Sequence, residues 1–377
     1  MSVKTLLAAA GLVALAAGAQ AQVKVGMITT LSGGGASLGI DTRDGFMLAI
    51  GMAGRDDIDV IVEDDQQKPD IAVQISDKMI QSDKVDVLTG IVWSNLAMAV
   101  VPSATAQGLF YLSTNAAPAQ LAGAGCNPNH FSVSYQNDNL HEAAGAYTKS
   151  AGYTKPFILA PNYPAGHDSL TGFKRFYDGE LAGEIYTELG QTDYAAEIAQ
   201  IRASGADSVF FFLPGGMGIS FLKQYAESGV ELPLVGPAFS FDQNILQAVG
   251  DAAVGVKNTS TWSKDLDNDA NAAFVSAYEE KYGRLPSIYA AQGYDTANLL
   301  LSAMDKADIS DPDAFRTALE DADFDSVRGD FTFASNHHPI QDIYVREVIK
   351  EGDIYTNKIT DTAMEDRDNA YVGECSM

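Results

Sequence analysis

Val85 to Leu121 reads VDVLTGIVWSNLAMAVVPSATAQGLFYLSTNAAPAQL, and the fold turns on how this stretch is parsed. Its first apolar run, Val85 to Val92, is too short for a helix and rich in β-branched residues, the pattern of a buried strand. Ser94 and Asn95 stand where a helix begins. Leu96, Val100, Val101 and Ala104 then recur at helical spacing, and Gly108 closes the segment. A second strand, Leu109 to Leu112, leads into Ser113, Thr114, Asn115, Ala116 and Ala117. Two neighbouring strand-to-helix corners of a parallel α/β sheet are therefore expected. In such sheets ligands collect beyond the carboxyl ends of the strands, where free backbone N–H groups and helix dipoles favour an anion. Ser94 and the group Asn115, Ala116 and Ala117 are thus candidates for holding a carboxylate. The competing role for Ser94 is a plain helix N-cap.

Upstream, the strand Val23 to Ile28 runs into a glycine-rich corner, Ser32 to Gly39, then a helix carrying Phe46, Met47 and Ile50 and a strand at Ile58 to Val62. A polar turn and a helix with Ile71, Ile75, Met79 and Ile80 lead back to the opening stretch. Downstream the pattern restarts at Tyr135. A helix over residues 139–150 precedes the strand Pro156 to Ala160, whose corner is Pro161 to Gly166. Strands at Ser208 to Leu213 and Leu232 to Val235 follow, with corners Pro214 to Gly218 and Gly236 to Ser240. This is the βαβ grammar of doubly wound sheets, and the length favours two lobes whose corners face each other across a cleft. The last third carries helical patterns at 268–282, 287–306 and 312–321. Two alternating segments, Gly329 to Phe333 and Asp342 to Val348, are expected to pair as a hairpin on a sheet edge.

The chain opens MSVKTLLAAAGLVALAAGAQAQ, a basic start, a short apolar run and the small-x-small site Ala19-Gln20-Ala21. That is the form of a secretory signal peptide over residues 1–21, with a retained anchor as the bland alternative. Its removal takes away Lys4 and no acid, so the net charge of −26 becomes one unit more negative. Such a chain has no bulk attraction for nucleic acid or an anionic membrane. Two cysteines, Cys126 and Cys375, fit one disulfide in an exported protein, tying the C-terminal tail to a loop; two free buried thiols are the alternative. His337 and His338 are adjacent and lack a spaced set of partners, so neither a metal nor a cofactor is expected. An exported α/β enzyme is the rival class. Against it, there is no G-x-S-x-G elbow, Gly33-Gly34-Gly35 with Gly39 lacks dinucleotide-loop spacing, and the neighbours His167 and Asp168 come without a nucleophile.

Five segments together, VGMITTLSGGGASLG, GIVWSNLAMAVVP with FYLSTNAAP, ILAPNYPAGHDSLTGFK, AAEIAQIRASGADSVFFFLPGGMG and PSIYAAQGYDTANLL, resemble the periplasmic solute-binding proteins of ABC transporters in the leucine/isoleucine/valine-binding family. The resemblance covers nearly the whole chain beyond residue 22. It implies a type I periplasmic-binding-protein fold, a Venus-flytrap of two doubly wound α/β lobes. Residues 22–135 with 264–330 would form one lobe and residues 136–263 with 331–377 the other. The chain would cross between them near Tyr135 to Asn137, Thr259 to Ser263 and Arg328 to Asn336, and the lobes would close by hinge motion for recognition by a membrane permease.

The same resemblance places the carboxylate donors at Ser94 and at Asn115, Ala116 and Ala117. The family often has threonine where this chain has Ala117, which leaves Asn115 or Thr114 to compensate. Its amino-acid binders carry a glutamate just after a Gly-Pro pair for the ligand ammonium. Here Gly236-Pro237 is followed by Ala238 and Phe239, with Asp242 the nearest acid. A buried ammonium without a partner costs several kcal/mol, which argues against a free amino acid. Trp93, Tyr163 and Phe239, with Met217 in reserve, make a set of flat side chains suited to a ring. Gln136, Asn137 and Gln292 could meet ring hydroxyls or satisfy backbone groups at the hinge. The pattern looks most like the branch that takes up aromatic acids, benzoates or phenylpropanoids. A branched-chain amino-acid binder using Asp242 is the alternative, and transport and sensing are not separable from sequence.

Overall fold

The computed structural model describes residues 22–377, so the signal-peptide expectation lies outside the described residues. Two sheets organise the chain. The first takes β1 (Val23–Thr29), β2 (Ile58–Asp64), β3 (Val87–Thr89), β4 (Phe110–Ser113) and β5 (His130–Ser132), all parallel, in the order β2-β1-β3-β4-β5. Helices α1 (Ala36–Met52), α2 (Pro69–Lys78), α3 (Ser94–Ala106) and α4 (Ala119–Ala122) follow successive strands.

The second sheet takes β6 (Pro156–Pro161), β7 (Gly183–Thr187), β8 (Ser208–Phe211), β9 (Leu234–Pro237) and β10 (Lys257–Ser260), parallel in the order β7-β6-β8-β9-β10. Beyond β10 the sheet continues antiparallel. There β12 (Pro339–Glu351) carries both β11 (Thr332–Phe333) and β13 (Ile354–Arg367). Helices α5 (Asn139–Ser150), α6 (Pro164–Tyr177), α7 (Ala195–Ala203), α8 (Gly216–Ser228) and α9 (Gln243–Val249) belong to this half. The chain then returns to the first lobe as α10 (Asp269–Tyr282), α11 (Ile288–Lys306) and α12 (Pro312–Glu320).

That return is fixed by close backbone contact. A Cβ on Gly45 would lie 1.9 Å from the Ala290 carbonyl oxygen, and one on Gly293 would lie 2.1 Å from that of Thr42, so α1 and α11 meet through glycine. Arg284 adds an ionic clasp, with its guanidinium 2.5 Å from Asp41 and 2.9 Å from Asp44.

The two sheets are joined by three crossings of the chain, after β5, after β10 and before β11. Two buried arginines brace these crossings. Arg328 donates to the carbonyls of Val133 and Ser134 (both 2.6 Å) and to Gln341 Oε1 (2.9 Å), and pairs with Asp295 of α11 (2.9 Å). Arg346 on β12 donates to Asn258 Oδ1 (2.8 and 3.0 Å) and to the Trp262 carbonyl (2.8 Å). Cys126 and Cys375 form the expected disulfide, with Cα atoms 5.7 Å apart across a separation of 249 residues. It returns the C-terminal tail to the first lobe.

Four elements differ from the sequence expectation. The strand expected at Val85 to Val92 is ladder-bonded only at Val87–Thr89, because Gly90 turns to φ 101° and Ile91 to Trp93 leave the sheet. Gly329 to Phe333 supplies only the pairs Thr332↔Ile340 and Phe333↔Pro339. The long edge hairpin is instead β12 with β13. The sequence of β13, IYTNKITDTAMEDR, is polar on both faces, which hides it from an alternation test. The strand β10, KNTS, is masked in the same way by its polar residues.

Candidate ligand-binding site

The strand orders place two switch points opposite each other. In the first sheet the direction of winding reverses between β1 and β3, and in the second between β6 and β8. A crevice opens at the carboxyl ends of strands at such points. The side chains that follow these strands meet around one narrow cavity, of about 20 Å³. Leu38, Trp93 and Ser94 come from the first switch point; Tyr163, Phe212 and Pro214 come from the second.

Trp93 occupies the N-cap position of α3 in extended backbone, and Ser94 is the first helical residue. Ser94 therefore does not cap its own helix. Its Oγ accepts a hydrogen bond from Asn137 Nδ2 at 3.1 Å. The second Asn137 N–H goes to Asp168 Oδ2 (2.8 Å), and its Oδ1 accepts from Ala117 N–H (3.2 Å). Asn115 is anchored by Nδ2 on the Val92 carbonyl (2.8 Å) and accepts from the Tyr135 hydroxyl (3.1 Å). The first-turn N–H groups of α3 add their positive end to this pole, as helix starts do.

The walls are aromatic. Trp93 and Tyr163 lie 6.2 Å apart at 56°, Tyr163 stacks on Phe212 (6.3 Å, 16°), and Phe239 touches Tyr135 (5.0 Å), Phe212 (6.0 Å) and Tyr289 (6.0 Å). No side chain lining the cavity carries a charge among the described residues. Burial raises the hydroxyl pKa values of Tyr135, Tyr163 and Tyr289 well above the ordinary range, so these groups stay neutral donors. Burial also lowers His141 to about 3, leaving its imidazole neutral.

Of the residues singled out in the sequence, Trp93, Ser94, Asn115, Asn137, Tyr163 and Phe239 all line this cavity. The others stand elsewhere. Ala116 and Ala117 lie behind it, and their N–H groups are taken by the Ile91 carbonyl (3.2 Å) and by Asn137 Oδ1. These two amides are thus not free donors here. The Gln136 side chain turns onto Asp138, donating to its carboxylate (3.1 Å) and accepting from its N–H (3.0 Å). Asp242 accepts from Ile288 N–H (3.1 Å) and, away from the cavity, is pushed up to about 7 by burial. Gln292 is fully buried three residues beyond Tyr289, with neither amide atom bonded among the described residues. Met217 borders a second space, of about 60 Å³, that Trp93 also lines.

Tyr135, His141, Phe212 and Tyr289 also line the cavity and were not read from the sequence as ligand residues. Phe212 closes the run VFFFLP and Tyr289 sits in PSIYAAQGYD, so both lay inside segments that attracted notice for other reasons.

Comparison with known proteins agrees with this architecture. A family profile described as "Periplasmic binding protein" matches residues 22–353. A Brucella melitensis protein named Leu/Ile/Val-binding protein homolog 6 is 28% identical over 375 residues, covering 94% of each chain. A solute-binding protein of an ABC transporter from R. palustris, solved in complex with benzoate, is 31% identical with a TM-score of 0.89. That match covers 94% of this chain and 99% of the other. A solute-binding protein from Rhodopseudomonas palustris BisB5, solved with 3,4-dihydroxybenzoic acid, is 28% identical with a TM-score of 0.85 over 92% and 98%. Among the described residues, no helix is long and apolar enough to cross a membrane.

Proposed function

The chain belongs to the periplasmic binding protein family, and from that premise we propose that it captures an aromatic carboxylate between its lobes and presents it to an ABC permease from outside the cytoplasm. Residues 22–135 with 264–330 act as one jaw and 136–263 with 331–377 as the other. The observation that carries the reading is the cavity itself, which combines neutral donors at the start of α3, a surround of aromatic rings and no charged wall. A carboxylate fits the donor pole formed by Ser94, Asn115 and the α3 N-terminus. The ring fits between Trp93, Tyr163 and Phe239. Relatives that carry benzoate and dihydroxybenzoate support the same assignment.

An amino acid would bring an ammonium into a chamber with no carboxylate on its wall, an uncompensated cost of several kcal/mol. Asp242, the candidate partner for that charge, does not line the cavity, and one of its oxygens accepts from Ile288 N–H. The test is a thermal-shift and calorimetric screen of the mature chain against benzoate, cinnamate, leucine and valine. The aromatic acids are expected to raise the melting temperature, since ligand at a hundredfold excess over Kd adds about 2.7 kcal/mol. Stabilisation by leucine or valine without any by the aromatic acids would refute the proposal.

A further inference from the structure

We propose that His141 reads a hydroxyl group on the ligand ring, so that the preferred solute is a phenolic aromatic acid rather than a bare benzoate. The inference rests on the aromatic-carboxylate reading and adds its second polar contact. His141 stands in the first turn of α5, on the second-lobe wall of the cavity, and is 1% exposed. Its ring is surrounded by Phe212 (5.0 Å), Phe210 (6.0 Å) and Phe239 (6.3 Å). Nδ1 sits 3.2 Å from Ser169 Oγ on α6, which fixes the ring from behind. Nε2 has no protein partner among the described residues and is not sealed off in the interior, so the cavity is the place left for its hydrogen bond.

The chemistry of that partner follows from the surroundings. An imidazole held neutral among phenylalanines gives no ionic attraction to a carboxylate, and the anion already has the α3 pole. The two tautomers differ in whether Nε2 donates or accepts. A hydroxyl serves either tautomer because it does both; a carboxylate or an ammonium serves only one. The flat walls between the two poles dictate that the hydroxyl be carried on a ring. An apolar substituent at this point would leave Nε2 buried and unpaired, which is how polar sites reject analogues that lack the matching group.

Calorimetric titration of the mature protein with benzoate and 4-hydroxybenzoate, on the unaltered chain and on His141→Leu, His141→Gln, Tyr163→Phe and Tyr289→Phe, tests the assignment. The unaltered protein is expected to bind the hydroxylated acid roughly tenfold more tightly, the worth of one well-placed hydrogen bond. In His141→Leu the ratio falls to near unity, and in His141→Gln part of the preference returns. The two tyrosine variants, which remove the other free hydroxyls on the wall, keep the preference. A preference that survives in His141→Leu, or that vanishes in Tyr163→Phe or Tyr289→Phe instead, overturns the role of His141 while leaving the aromatic-acid reading intact. Failure of both acids to bind the unaltered protein would remove that reading itself.

Discussion

Asn137 has no side-chain donor left over: both N–H groups go to Ser94 and Asp168, while Oδ1 accepts from Ala117 N–H. Because Ser94 Oγ already accepts from Asn137, its own proton is free to point into the cavity, which makes it a donor prepared for an anion. Ser94→Ala is therefore expected to weaken carboxylate binding by about 1–3 kcal/mol, read by titration calorimetry. Tyr163→Ala removes a ring that faces both Trp93 and Phe212. It should cost aromatic acids about 1–3 kcal/mol and a compact acid such as acetate little, so equal losses for both would contradict a stacking role. Residues of this kind were legible in the sequence because they stand directly after strands, and strand ends are what the βαβ pattern locates. His141 and Tyr289 were not, since their place in the cavity depends on how the crossings set one lobe against the other. Ala116 and Ala117 were placed correctly along the chain, but tertiary partners had already taken their amides. One oxygen of Asp242 likewise meets the otherwise unbonded N–H at the start of α11, and its other oxygen has no partner among the described residues.

At the level of elements, parallel strands with continuous apolar runs and helices with regular apolar spacing were recovered to within a few residues, as at α5, α10 and α11. Strands that face solvent or the hinge were not, because β10 and β13 hold polar residues on both faces and are fixed by partners distant in sequence. One such partner is Arg328, whose guanidinium joins the first crossing, Gln341 on β12 and Asp295 on α11. Arg328→Met would leave the Asp295 carboxylate buried with only Ser326 Oγ (2.6 Å) and Val327 N–H (3.1 Å) as donors. Loss of one partner of a buried pair costs about 3–5 kcal/mol, and denaturant unfolding monitored by circular dichroism should register a drop of that size. A change below about 1 kcal/mol would mean that the crossings are held by backbone geometry alone. The disulfide acts on the same region by returning the C-terminal tail to the first lobe. Cys126→Ser with Cys375→Ser should lower unfolding free energy by about 2–5 kcal/mol while sparing the cavity, which neither cysteine lines.

Across the whole molecule, capture of a ligand between the lobes, as proposed above, would couple the cavity to closure through Asp168. This residue stands on α6 in the second lobe, yet its carboxylate accepts from Ala119 N–H at the start of α4 in the first lobe (3.1 Å) as well as from Asn137 (2.8 Å). Burial, aided by the nearby charge of Asp138, raises its pKa to about 7, against the partial relief given by those donors. Opening of the lobes by the proposed hinge motion would withdraw Ala119 and admit water to the carboxylate, whose pKa would then return toward about 4. The closed form therefore holds a proton that the open form releases. The sign follows: over the interval from about pH 4 to pH 7 closure takes up protons, so ligand affinity falls as pH rises through that interval and levels off above it. Titrations at a single pH near 6, in two buffers of different ionisation enthalpy, should show net proton uptake on binding. Asp168→Asn keeps an acceptor oxygen for Ala119 but no longer titrates, so it should abolish the uptake and flatten the pH profile between pH 5 and 7. A profile that stays sloped in that variant would place the proton on another group of the cleft.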